Sequence, residues 1–135
     1  MIVIGIDPGT HTGYAAWDME RKVLSAVKTL KIHQAMEFVL EVHASGLLHS
    51  VTFEDARLRK WLGTKGREAL QGAGSIKRDC TIWADFLGHH GIAYRAVAPQ
   101  AGATKWGAEQ FAKAFGWTAR TSEHARDAAL LVVGK

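Results

Sequence analysis

Ile2-Val3-Ile4-Gly5-Ile6-Asp7-Pro8-Gly9-Thr10 is an apolar run that ends on one carboxylate and turns at once through Pro-Gly. A short apolar run bounded by turn chemistry reads as a buried strand, so residues 2–7 form the first strand and Asp7 sits at its tip. A carboxylate placed there either starts a turn, for which Asp-Pro-Gly is good chemistry in any protein, or meets a metal or a phosphate. The rest of the chain bears on that choice, because it offers further ligand types at the ends of elements: Glu54, His124 and Asp127.

Working outward, Gly13–Trp17 and Val23–Leu30 read as two more strands around the polar turn Asp18-Met19-Glu20-Arg21. Three strands with tight connections predict an antiparallel meander. Between His33 and Ala44, the residues Ala35, Met36, Val39, Leu40 and Val42 roughly follow a helical period. Val51-Thr52-Phe53-Glu54 then returns as a strand, and the helical crossover predicts that it runs parallel to the first, which brings Glu54 near Asp7.

A second helix is expected over Arg67–His90, with Ile76, Cys80, Trp83, Ala84 and Leu87 as its apolar stripe. Gly72 and Gly74 inside it mark either a close approach or a break between two helices. Ile92–Ala98 reads as a strand closed by Pro99, Lys105–Phe115 as a helix, and the last helix begins at the N-cap Ser122 with Ala128, Leu131 and Val132 facing inward. The order predicts an α/β chain: a mixed five-stranded sheet, made of a three-strand antiparallel meander plus parallel strands, flanked by helices on both faces.

With 135 residues and no repeat or linker, the chain reads as a single domain, 1–135. The one cysteine, Cys80, excludes an intramolecular disulfide framework; without a secretory signal it points to a reducing compartment. No apolar run approaches the roughly 18 residues of a membrane span, so the expectation is a soluble, cytoplasmic protein with no membrane partner. Lys and Arg total 17 against 13 acids, and the stretch Arg57–Arg78 holds Arg57, Arg59, Lys60, Lys65, Arg67, Lys77 and Arg78 against Glu68 alone. That density suits a polyanion partner or, equally, a solvated basic face.

His124 and Asp127, three residues apart, share one face of the last helix. Carboxylate oxygens suit Mg²⁺ or Mn²⁺, and an imidazole is better tolerated by Mn²⁺. On its own, a His-x-x-Asp pair is more often an ordinary helix start than a metal site.

In combination, Ile4-Gly5-Ile6-Asp7-Pro8-Gly9-Thr10 with Gly13-Tyr14 following, Phe53-Glu54, and Glu123-His124-Ala125-Arg126-Asp127-Ala128-Ala129 resemble the motifs of the RuvC-type Holliday junction resolvases, a branch of the RNase H-like nucleases. The resemblance spans nearly the whole chain and is nearest to short phage or prophage members. It implies an RNase H-like fold and an endonuclease that resolves four-way or other branched DNA by two-metal-ion hydrolysis, in symmetric paired nicks. It also implies that Asp7, Glu54, His124 and Asp127 are the catalytic and metal-binding residues, with two Mg²⁺ ions per active site and Mn²⁺ as a substitute. In that family the position of His124 is Asp or His. Asp7 would be the shared ligand, and His124 would bind metal or position the attacking water. Asp55 rivals Glu54, but strand alternation sends it to the opposite face.

Two symmetric cuts imply a homodimer, for which the helix Arg67–His90 is the expected interface. The expected location is the bacterial cytoplasm, or that of the host for a phage protein. For DNA, the basic loop Arg57–Arg67 with Trp61 would sit beside the site; Lys77 and Arg78 follow it, and Lys105 begins a helix whose counterpart in such resolvases carries basic contacts. Trp17, Trp83, Trp106 and Trp117 read as packing residues. Three other functions fit parts of the pattern: a branched-DNA-binding or regulatory protein that no longer cuts, a less selective RNase H-like nuclease, and an ATPase or sugar kinase using an Asp-x-Gly-Thr phosphate turn. The last class needs two such domains, so no nucleotide cofactor is expected.

Overall fold

β1 (Ile2–Asp7) is the middle strand of a five-stranded sheet in the computed structural model, which describes residues 1–59, 67–99 and 106–135, and of residues 67–73 the backbone alone. The other strands are β2 (Thr12–Asp18), β3 (Val23–Leu30), β4 (Leu48–Glu54) and β5 (Tyr94–Val97). Helices α1 (Ile32–Ala44), α2 (Arg67–His89), α3 (Ala108–Phe115) and α4 (Glu123–Leu130) flank them, and a 3-10 turn, Ala56–Leu58, follows β4. The sheet order is β3-β2-β1-β4-β5. β1, β2 and β3 pair antiparallel, whereas β4 lies parallel to both β1 and β5. This is the mixed sheet expected from the meander and the helical crossover.

Alternation along β1 divides the interior in two. Ile4 and Ile6 join Val51 and Phe53 of β4 beneath α1 and α2, which contribute Val39, Cys80, Trp83 and Leu87. Val3 looks the other way and joins Ala15 and Trp17 of β2 beneath α3 and α4, which contribute Phe111, Ala125, Ala128 and Ala129. Full burial of each large apolar side chain contributes about 1.5–3 kcal/mol, so both helical layers are held chiefly by apolar contact.

Several boundaries differ from the expectations. β4 begins three residues earlier, at Leu48, and β5 is confined to Tyr94–Val97, with Ile92 buried just ahead of it. α3 begins at Ala108; Lys105 lies outside the described residues. α2 runs unbroken through Gly72 and Gly74, and a β-carbon on Gly74 would meet none of the described residues within 4 Å, so among them Gly74 serves no close approach.

Ile76, expected on the buried stripe, is exposed. One helical turn further along, the Cys80 thiol already lies against the Glu54 carbonyl at the end of β4, 3.7 Å away, so the sheet gives out beneath Ile76. Trp17 and Trp83 are buried, Trp106 stacks on Phe115, and Trp117 packs against the α3–α4 layer, in keeping with their reading as packing residues. Among the described residues no helix is long and apolar enough to cross a membrane.

Candidate functional site

Ile6 of β1 pairs with Phe53 of β4, so the next residues, Asp7 and Glu54, end neighbouring parallel strands at the same edge of the sheet. Because Ile6 and Phe53 point into the α1–α2 core, alternation turns Asp7 and Glu54 toward the α4 side. Beyond Asp7 the chain reverses through Pro8 and Gly9, and the Thr12 hydroxyl closes this turn by donating to the Gly9 carbonyl at 2.8 Å. β2 therefore sets Gly13, its second residue, opposite Asp7.

Two glycines decide where α4 lies. A β-carbon on Gly5 would sit 2.2 Å from the Ala128 carbonyl oxygen, and one on Gly13 would sit 2.0 Å from that of His124. The helix thus rests backbone against backbone on β1 and β2, an approach that the small residues Ala125, Ala128 and Ala129 also permit.

Its N-terminus is capped by Ser122, whose Oγ accepts from the Ala125 N–H at 3.1 Å and is hydrogen-bonded to the Thr29 hydroxyl of β3. Arg126 holds the preceding loops: its Nε donates to the Trp106 carbonyl at 2.8 Å, and its terminal nitrogen donates to the Thr121 carbonyl at 2.8 Å.

Docked in this way, α4 brings His124 to Asp7. His124 Nδ1 lies 3.1 Å from Asp7 Oδ2, with the imidazole 51% exposed and the carboxylate 14% exposed. An ionised carboxylate only accepts hydrogen bonds, so Nδ1 is the donor in this contact. Asp7, Glu54, His124 and Asp127 all line one cleft of about 200 Å³, and Glu123 joins them. Such a donor set, carboxylates with one imidazole, fits a hard divalent cation such as Mg²⁺ or Mn²⁺. The groups are spread over the walls of the cleft; among the described residues no three His, Cys, Asp or Glu side chains are drawn together as an ion cage.

The expected DNA-contacting residues divide into three groups. Arg59 and Lys77 line the same cleft, together with Ile76, while Arg78 is exposed on α2 outside its lining. Arg57 turns instead to Asp55, its NH2 2.8 Å from Oδ2. Lys60, Trp61, Lys65, Lys105 and the side chain of Arg67 lie outside the described residues. Asp55, the rival of Glu54, is buried on the α2 side of the sheet, where hydrogen bonds from the Arg57 side chain hold its carboxyl below the usual carboxylate range.

From the sequence, Glu123 and Arg126 belong to the last-helix motif and Pro99 closes a strand, with no part in the site for any of the three. An acid in the first turn of a helix is ordinarily explained by the helix dipole, so Glu123 carries no separate signal. Pro99 ends a strand like any loop proline, yet it lines the cleft.

Among solved structures, the chain is similar to that of T. thermophilus RuvC in complex with Holliday junction substrate, with a TM-score of 0.61 and 22% sequence identity, covering 98% of this chain and 91% of that one. The likeness shows a shared fold, the mixed sheet of the RNase H-like class. No protein-family model matches the sequence, and no curated protein matches it.

Proposed function

We propose that this chain is a divalent-metal-dependent endonuclease that cuts four-way junctions or other branched DNA. The observation that carries this reading is the convergence of Asp7, Glu54, His124 and Asp127 on one cleft from two adjacent strand ends and a helix that glycines seat on the sheet. The fold shared with T. thermophilus RuvC in complex with Holliday junction substrate supports the same reading.

In this mechanism Asp7 would be the shared metal ligand, standing between Glu54 on the neighbouring strand and the imidazole of His124. Glu54 and Asp127 complete the carboxylate set. Bound Mg²⁺ or Mn²⁺ would supply activation of the attacking water and charge stabilisation on the leaving 3′ oxygen. His124, with Nδ1 engaged by Asp7, keeps Nε2 to serve as a ligand or to hold the water. Arg59 and Lys77, on the wall of the same cleft, would hold the flanking phosphates as cationic donors. Paired nicks across a four-way junction require two such sites, supplied by a homodimer.

Cleavage of a synthetic four-way junction in Mg²⁺ or Mn²⁺, run beside a fork, a flap and an RNA–DNA duplex, tests the reading. Wild type should cut the junction, and Asp7→Asn should bind it without cutting. Binding with no cleavage of any branched substrate would make the protein a silent binder. Equal cutting of all four substrates would make it a less selective nuclease, and an unaffected Asp7→Asn would overturn the assigned site.

A further inference from the structure

Asp55 is a carboxylate only 2% exposed, and a charge removed from water so completely requires a partner that satisfies both its oxygens. Arg57 is that partner. Its Nε donates to Oδ1 at 2.9 Å and Oδ2 at 3.1 Å, its NH2 donates to Oδ2 at 2.8 Å, and its own backbone N–H donates to Oδ1 at 3.0 Å. The remaining arm of the guanidinium crosses to α2, where NH1 donates to the Thr81 hydroxyl at 3.3 Å. Thr81 in turn donates to the carbonyl of Lys77, one of the residues on the far wall of the cleft, at 3.1 Å.

These bonds bracket Glu54. Its carbonyl faces the Cys80 thiol of α2, and the next peptide N–H, that of Asp55, donates to the Val97 carbonyl of β5 at 2.7 Å. The strand ladder ends there, and beyond it the chain is held by the Ala56–Leu58 turn, whose Leu58 N–H donates to the Asp55 carbonyl at 3.0 Å, and by the Asp55–Arg57 fork.

We infer that Arg57 is a positioning residue for Glu54, locking the end of β4 to α2, and is not a DNA contact; the inference rests on the nuclease reading of the cleft. The chemistry separates the two roles. A phosphate contact needs a positive charge near an oxygen, and lysine supplies one almost as well as arginine. A planar fork that spans both oxygens of Asp55 while a third nitrogen reaches Thr81 has no lysine equivalent.

The test compares wild type with Arg57→Lys, Asp55→Asn and the double variant in two measurements. One is four-way-junction affinity in EDTA as a function of salt, and the other is the single-turnover cleavage rate at saturating protein. Arg57→Lys should bind the junction with an unchanged salt slope yet cleave it roughly 10- to 100-fold more slowly, the range set by outer-shell partners of metal-site ligands. Asp55→Asn should lose a similar factor, and the double variant should lose little more than either single one.

Cleavage by Arg57→Lys at the wild-type rate overturns the inference. So does an Arg57→Ala variant whose junction binding weakens with a salt slope smaller by about one, the signature of a lost phosphate contact. Should Asp55→Asn fail to fold, Arg57→Lys alone decides the matter. A wild type that cuts no branched substrate removes the nuclease reading and this inference with it, an outcome distinct from a wild type and an Arg57→Lys variant that cut alike.

Discussion

Gly13 on β2 lies directly beneath the carbonyl of His124, 2.0 Å from where a β-carbon would stand. That contact sets the height of α4 above the sheet, and with it the place of His124 beside Asp7. Gly13→Ala should lift or tilt the helix. Overpacking of this kind costs about 1–3 kcal/mol, and a misplacement of about 1 Å at a catalytic group costs roughly 100-fold in rate. Urea denaturation and junction cleavage measured together check both effects. Wild-type stability with wild-type cleavage would show that the helix does not need this approach.

Removal of a single donor from the cleft should leave DNA binding in place and remove cutting. Glu54→Gln and Asp127→Asn should each slow cleavage by at least about 100-fold, the upper end of the effect seen on losing even an outer-shell partner of a metal ligand. The check is single-turnover cleavage beside a gel-shift titration, where affinity stays near that of wild type.

Chelation of divalent ions with EDTA should abolish cleavage reversibly, with activity restored by Mg²⁺ or Mn²⁺ and not by Ca²⁺ in excess. Ca²⁺ takes more ligands at longer distances, 2.3–2.6 Å against about 2.0–2.1 Å for Mg²⁺, and so holds the phosphate in a looser arrangement. Titration of each ion against the cleavage rate measures this directly.

Arg59 and Lys77 stand on the cleft wall. Arg59→Gln and Lys77→Gln should each weaken junction binding across all sequences and lower the slope of log affinity against log salt by about one. Fluorescence anisotropy over a range of KCl concentrations reports both quantities.

Tyr14 is 3% exposed in the α1–α2 core, beside the ring of Phe38, and burial, reinforced by Glu41, pushes its hydroxyl up to about 12 from 10.0. A raised folded-state value favours the protonated form, so this contribution is fully present below pH 10.0 and is lost as pH rises toward about 12. The loss amounts to about 2–3 kcal/mol over that window. Tyr14→Phe should flatten the alkaline fall in stability, read from urea midpoints between neutral and strongly alkaline pH.

The local sequence of this protein determined its strands, its helices and the residue types at their ends. Periodicity decides these features: the apolar run before Asp7, the short strand before Glu54 and the Ser122 cap follow from contacts within a few residues. A crossover helix between parallel strands was enough to set Glu54 beside Asp7. What only the tertiary structure decided is which surfaces meet. Gly5 and Gly13 read locally as small residues of their strands and Ala128 as an inward-facing helix position, and they become one docking surface only when two stretches of backbone separated by more than a hundred positions close on one another. Ile76 belongs by period to the buried stripe, yet it is exposed where the sheet ends. Arg57 belongs by composition to a basic patch, yet its guanidinium is taken by a buried carboxylate two residues away, because the cost of leaving Asp55 unpaired exceeds anything that charge density alone can express.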